Sequence, residues 1–447
     1  MANLTAKRAI DTTTLDFAKL LSGKNLKFTS KQISVDYKNG ERDLVKGSFS
    51  FNALSKTVSG TVKSWVRYDW KNKKTMWTLE GLSTNASKVL AAAKTKSLSD
   101  DRKIIKSMFA KADTVIGSAY ADKLYTYDGN DVITPGGGAD SIDGGDGRDR
   151  IVFVGPETVQ VTLAGSSVVY VSLNGVATDR VRNVEDVTGG DGNDTITGDG
   201  LANRLYGGAG DDLLSGAGGK DTISGGAGND TIIGGSSGDS LSGDSGHDLI
   251  MGGTGGDKID GGSGNDTILG GSSGDKLYGK SGNDSIQGDS GSDLIDGGSG
   301  NDLLRGGSGN DTILGGTGLD TITGGSGKDV LTGGADADVF LFLSIGESPS
   351  MTGRDYITDF TKGLDLIDLS AIDASLTELE DQAFVLDARS TASAAVAEGH
   401  IGWYTVNKSG TKNDRTFIRI NTDDDAQIEM VIELKGVVKL TAADFIL

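Results

Sequence analysis

The chain has 447 residues, 70 of them glycine and only 6% aromatic, too little apolar bulk for an ordinary globular core throughout. Its 63 acidic against 43 basic residues give a net charge of −20, a sign that argues against nucleic acid and anionic membranes as partners and suits divalent cations. Cysteine is absent, which excludes disulfides and thiolate metal sites.

The charge is uneven, with a net +12 over residues 1–116 and −32 over 117–447. The chain opens on MANLTAKRAIDTTTLDFAKLL, which lacks the uninterrupted apolar stretch of a secretory signal peptide, and no apolar run of 18 residues occurs anywhere, so no transmembrane segment is expected. WVRYDW (65–70) and TMWTL (75–79), joined by KNKK, predict a β-hairpin, with FSFN (49–52) and TVSGTV (57–62) as further strands. Helices are expected over 86–96, with Asn85 as N-cap, and over 100–109. Residues 1–116 thus read as a small, basic, β-rich domain with a helical connector. Its charge reads either as a solvated face or as a docking surface for an anionic partner: lipopolysaccharide, an anionic polysaccharide, or the acidic body of another copy.

Over 117–152 aspartate recurs every nine residues, at Asp122, Asp131, Asp140 and Asp149, each followed two residues on by Leu124, Ile133, Ile142 or Ile151. Residues 153–188 break the pattern with alternating stretches such as TVQVTL (158–163), which predict strands inserted beside the repeats. From 189 to 341 seventeen nonapeptides follow without a slip, from GGDGNDTIT through GGSGNDTIL to GGADADVFL. Their sixth position is Asp194, then Asn203, then Asp212, Asp221, Asp230, Asp239, Asp248, Asp257, Asp266, Asp275, Asp284, Asp293, Asp302, Asp311, Asp320, Asp329 and Asp338. The eighth is always Ile, Leu or Phe, from Ile196 to Phe340. Residues 234–269 and 270–305 both open on GGSSGD and read as a duplicated block of four repeats.

A period of nine cannot keep one face of a helix, whereas it suits a coil of strand and turn. Positions seven to nine predict a three-residue strand with its middle aliphatic inward, and the other six a turn in which glycines one, two and four allow positive φ. Two nonapeptides make one coil, so aspartates 18 apart stack at about 4.8 Å, where bare carboxylates repel. A Ca²⁺ between them, completed by backbone carbonyls, turns that repulsion into cohesion, and with one inward aliphatic per strand, ion binding and folding become one event. A disordered, solubilising linker has no reason to keep an aliphatic at every eighth position.

The pattern GGxGxDxUx resembles the RTX nonapeptide, a calcium-binding β-helix repeat. The resemblance implies an all-β chain: a parallel β-roll (189–341, with a short first roll over 117–152 and inserted strands over 153–188) between the N-terminal domain (1–116) and a β-rich C-terminal cap (342–447). It implies many Ca²⁺ ions held by the aspartates named above. The pair Asn203 and Asp221 is expected to make one of the weakest sites, because Asn offers a neutral oxygen, and affinities are expected on the order of 10⁻⁴ M.

After the roll, GRDYITDFTKGLDLIDLSAID (353–373) resembles the segment that closes the roll in serralysin-type C-terminal domains. The last residues, with Asp444 before Phe445, Ile446 and Leu447, resemble the uncleaved C-terminal signal of type I secretion substrates. That implies passage through the type I secretion apparatus to the outside or surface of a Gram-negative cell. The loop NTDDDAQ (421–427), ahead of the strand IEMVIEL (428–434), reads as a solvated hairpin loop or a further calcium loop, without the glycine of an EF-hand.

RTX proteins include metalloproteases and lipases, so enzymatic motifs bear on the reading. H-E-x-x-H is absent, and the two histidines, His247 and His400, lie far apart in the sequence. G-x-S-x-G at 234–238 and 270–274 and the Walker-like GDKLYGKS at 274–281 fall inside repeats, where no strand-to-helix elbow is expected. The chain therefore reads as a non-enzymatic calcium-binding protein. It resembles S-layer and biofilm RTX proteins that self-assemble into a lattice or matrix; the alternatives are a soluble secreted interaction protein and an enzyme with its site in 1–116.

Overall fold

The computed structural model describes residues 111–117, 121–349, 353–372, 384–387, 396–406, 414–423 and 427–447, Ala177 by its backbone alone, together with the backbone of six strands between Asn3 and Glu80. The chain folds as two compact units, 1–209 and 210–447.

In the first unit Glu41–Asn52 pairs antiparallel with Gln32–Asp36 and Thr57–Asp69, and Thr57–Asp69 with Lys74–Glu80. The hairpin predicted around 65–79 is present, and TVSGTV and WVRYD form one continuous strand. The expected helices lie outside the described residues. Asn3–Ala6 joins this sheet to the repeats by pairing antiparallel with Lys74–Glu80 and parallel with Thr114–Ile116.

Parallel stacking then builds two walls. Thr114–Ile116, Val132–Thr134, Arg150–Val152, Asp186–Thr188 and Arg204–Ala209 form one. Lys123–Tyr125, Ser141–Asp143 and Val176–Arg182 form the other. The strands of 153–188 do not lie beside the roll: Val176–Arg182, Val169–Leu173 and Val159–Thr162 run on antiparallel within the second wall, and Val159–Thr162 then pairs parallel with Thr195–Thr197. Their alternating apolar residues (Val159, Val161, Val171 and Val181, none above 1% exposed) take the inward places that a repeat aliphatic would hold.

The second unit stacks the remaining repeats in the same way. One wall runs from Leu213–Ser215 through Thr231–Ser236, Leu249–Thr254 and Thr267–Ser272 to Val339–Leu341. The other runs from Thr222–Ala227 through Ser240–Ser245 and Lys258–Ser263 to Val330–Ala335. Most of these strands have six residues, not the three expected. The ladder continues past position nine into the next repeat's first three positions, as in Gly235↔Gly253 and Ser236↔Thr254, because glycine leaves nothing to obstruct neighbouring coils. The turn shrinks accordingly to positions four to six. Ile232, Ile250, Ile259, Ile268, Leu277 and Ile295 are wholly buried, one per rung, and make the core.

Residues 353–368 supply one more coil. Tyr356–Ile357 stacks on Val330–Ala335, and Leu366–Asp368 on Val339–Leu341. Beyond it the C-terminal sheet begins: Met430–Lys435 pairs parallel with Tyr356–Ile357 and antiparallel with Arg415–Asn421, which pairs with His400–Val406. Phe445–Ile446 adds a last rung beside Leu366–Asp368.

Candidate metal centre

All twenty expected aspartates are at most 3% exposed. Such burial is costly for a carboxylate unless each oxygen finds a partner. One oxygen does. Down each edge of the roll, the backbone N–H of an aspartate donates to Oδ1 of the aspartate 18 residues on: Asp230 to Asp248 (2.8 Å), Asp248 to Asp266 (2.9 Å) and Asp266 to Asp284 (2.8 Å) on one edge, and Asp239 to Asp257, then Asp257 to Asp275 (both 2.7 Å), on the other. The bonds run on to Asp320→Asp338 and Asp311→Asp329, and in the first unit join Asp122 to Asp140 and Asp131 to Asp149.

The other oxygen is the informative one. Oδ2 of Asp131, Asp140, Asp149, Asp230, Asp239, Asp248, Asp257, Asp266, Asp275, Asp284, Asp293, Asp302, Asp311, Asp320, Asp329 and Asp338 is buried with no hydrogen-bond partner among the described residues. Native interiors leave few such groups, and a column of them calls for a ligand. From Asp239 to Asp320 each sits over the first glycine of its repeat, beside a carbonyl of the next coil. A Cβ on Gly252 would stand 2.5 Å from both Asp257 Oδ2 and the Gly270 carbonyl oxygen, and one on Gly234 would stand 2.6 Å from the Gly252 carbonyl oxygen and 2.7 Å from Asp239 Oδ2. Position one is therefore glycine for space, not for backbone conformation: positive φ occurs at positions two and four, as at Gly253 (105°) and Gly255 (121°), but not at Gly252.

Among the described residues no three acidic or histidine side chains converge on one point, so the donors on offer are one or two carboxylates per coil interval plus backbone carbonyls. Such an all-oxygen set suits a hard cation of flexible geometry, calcium above all. Burial, first, and the charges of neighbours in the same column, next, push Asp275 and Asp311 up to about 7 and Asp248 and Asp284 up to about 6. Positive charge is what these columns lack.

A family model described as the RTX calcium-binding nonapeptide repeat matches residues 109–153 and, in overlapping segments, 188–340. The repeats are RTX calcium-binding nonapeptides. Multiple Ca²⁺ ions follow from that assignment, and the orphaned Oδ2 atoms fit them. Among solved structures, this chain is similar to the R3 subunit of the Azotobacter vinelandii mannuronan C5-epimerase AlgE6 (24% identity, 45% of this chain and 80% of that one, TM-score 0.21) and to its R2 subunit (24%, 40% and 90%, 0.24). It is also similar to the extracellular lipase LipA from Serratia marcescens (14%, 76% and 38%, 0.18). No curated protein matches significantly.

Asp194 differs from those sixteen aspartates, because both its oxygens accept backbone N–H bonds, from Val159 and Gly190. Asn203 satisfies itself too: Nδ2 donates to the Glu185 carbonyl and Oδ1 accepts from Asp199. The columns also recruit acidic residues that lie outside the nonapeptides. Asp113 donates its N–H to Asp131 Oδ1, Asp140 N–H goes to Asp179 Oδ1, and Asp149 N–H goes to Glu185 Oε2. Glu185 lies nine residues before Asp194, and Asp113 nine before Asp122, so phase alone would have found both.

The enzymatic look-alikes fall where the repeat places them. Ser281 ends the strand Lys276–Ser281, and another strand, Ser285–Ser290, follows. His247 is exposed in a turn and accepts the Asn265 N–H through Nδ1, while His400 begins a strand of the C-terminal sheet.

Proposed function

We propose that this chain is a secreted, non-enzymatic calcium scaffold, exported by a type I apparatus as a soft polymer and stiffened outside by the ion. The observation that carries this reading is the pair of columns of buried carboxylate oxygens without partners: at neutral pH and without a cation they oppose the fold that buries them. Phe445 and Ile446 form the last rung and Asp444 is buried just before it, so an exporter would read them from a chain not yet folded. Circular dichroism in EGTA and then in millimolar calcium tests this; full strand content in EGTA, with no gain on adding calcium, refutes it.

The finer reading is self-assembly into a surface layer or extracellular matrix, in which the +12 segment of one copy meets the −32 segment of the next. Such head-to-body contact is heterologous and propagates. Size-exclusion chromatography and electron microscopy with and without calcium should show ordered assemblies that dissolve in chelator. A persistent monomer would remove the lattice and leave a soluble calcium-binding interaction protein.

A further inference from the structure

The aspartate columns do not stop with the nonapeptides. Residues 353–358 read GRDYIT, the last six positions of the repeat consensus, with its aspartate 26 residues after Asp329 rather than 18. Asp355 takes the next place above Asp329, whose N–H donates to Asp355 Oδ1 at 2.9 Å. Gly353 stacks as a fourth-position glycine does: a Cβ there would stand 2.7 Å from the Gly327 carbonyl oxygen. Asp329 and Asp355 are both wholly buried, and Oδ2 of each has no hydrogen-bond partner among the described residues.

Two other acidic residues near the end of the roll show what a self-sufficient carboxylate looks like. Asp365 Oδ1 accepts from Asp338 and Oδ2 from Thr361. Asp444 Oδ1 accepts from Gly363, and Oδ2 from the Thr441 N–H and hydroxyl. Neither needs an ion. Asp355 stands apart from both.

We propose that Asp329, the last nonapeptide aspartate of its column, and Asp355, one rung beyond the nonapeptides, hold a further calcium ion between them, and that this ion fastens the C-terminal sheet to the roll. The inference rests on the calcium reading of the repeats and extends it to a segment without a full repeat. The mechanical link is direct. The Asp355 carbonyl accepts the Glu433 N–H at 2.9 Å, and the Asp355 N–H donates to Ser348 Oγ at 2.7 Å, whose hydroxyl donates to the Val431 carbonyl at 2.7 Å. Glu433 in turn pairs with Arg354 and Arg415. Burial, with the charges of Asp329 and Glu347 behind it, pushes the Asp355 carboxyl up to about 9. With the ion in place, Asp355 ties Tyr356–Ile357, and through it Met430–Lys435, to the last coil.

Long-wavelength anomalous diffraction from wild-type crystals grown in calcium tests this without any substitution, and should show a peak beside Asp329 and Asp355. In solution, Asp355→Asn should bind one calcium fewer per chain. It should also speed amide exchange in Arg415–Asn421 and Met430–Lys435 at least tenfold, with Thr267–Ser272 unchanged. Calcium in the repeat columns with none beside Asp355 overturns the inference, as does an unchanged calcium count in Asp355→Asn. A map with no calcium anywhere overturns the repeat reading and this inference with it.

Discussion

The sharpest probe of the calcium cradle is one methyl group placed twice in the same repeat. In Gly252→Ala the new Cβ would stand 2.5 Å from both Asp257 Oδ2 and the Gly270 carbonyl oxygen; in Gly256→Ala the nearest atom is the Gly274 carbonyl oxygen at 3.1 Å. A comfortable carbon–oxygen contact is about 3.3 Å, so the first methyl demands a shift of roughly 0.8 Å from two oxygens proposed as ligands, and the second about 0.2 Å. Neither glycine has positive φ, so backbone strain does not separate them. Overpacking of this kind costs about 1–3 kcal/mol. Losing one ion at millimolar calcium, with an affinity on the order of 10⁻⁴ M, costs about 1.4 kcal/mol more. Gly252→Ala should therefore lose roughly 2–4 kcal/mol in calcium, while Gly256→Ala stays within about 1 kcal/mol of wild type, helped by a stiffer unfolded chain. Urea unfolding at fixed calcium, followed by circular dichroism, measures the first difference, and a calcium titration the second. If the two variants shared one calcium midpoint, the first-position glycine would not line an ion site.

Acid should substitute in part for calcium. Folding raises Asp275 and Asp311 from the ordinary 3.8 to about 7, so the ion-free fold binds more protons than the unfolded chain, and the stability this confers is complete below about 3.8 and lost as pH rises through 7. Strand signal in EGTA should thus grow from pH 7.5 to pH 5, and the calcium midpoint should climb as protons compete; a pH-independent midpoint contradicts this. Asn203→Asp removes the donor to the Glu185 carbonyl, costing about 1 kcal/mol without calcium, and should tighten binding in its presence; an unaltered titration would show that Asn203 sits outside the ion column. Ile268→Ala, at a wholly buried rung, should cost about 2–5 kcal/mol, against less than about 0.5 kcal/mol for Thr267→Ala on the outer face; equal losses in a thermal melt would refute the inward assignment.

Much of the candidate site was legible because it is written nine residues at a time. A carboxylate at position six and an aliphatic at position eight place Asp266 on an edge and Ile268 in the core as soon as a coil of two repeats is assumed. Strand length was not legible. Glycine carries no propensity for a strand, yet the first two positions of each repeat extend the ladder, because Gly253 and its neighbours meet coil upon coil with nothing in between. The role of Gly252 was hidden for a related reason: conformational freedom is a property of the residue, whereas the space it leaves for Asp257 depends on a neighbour brought over it by folding.

The period itself determined the two walls, the inward stack and the paired columns of aspartates, since a nine-residue repeat with one aliphatic and one carboxylate has few ways to satisfy both. Only the tertiary structure decided which residues outside the period join those columns. Asp179 follows Asp140 by 39 residues and Asp355 follows Asp329 by 26, yet each occupies the next rung. A parallel ladder is closed by hydrogen bonds between coils, and these are indifferent to how much chain is looped out between one coil and the next.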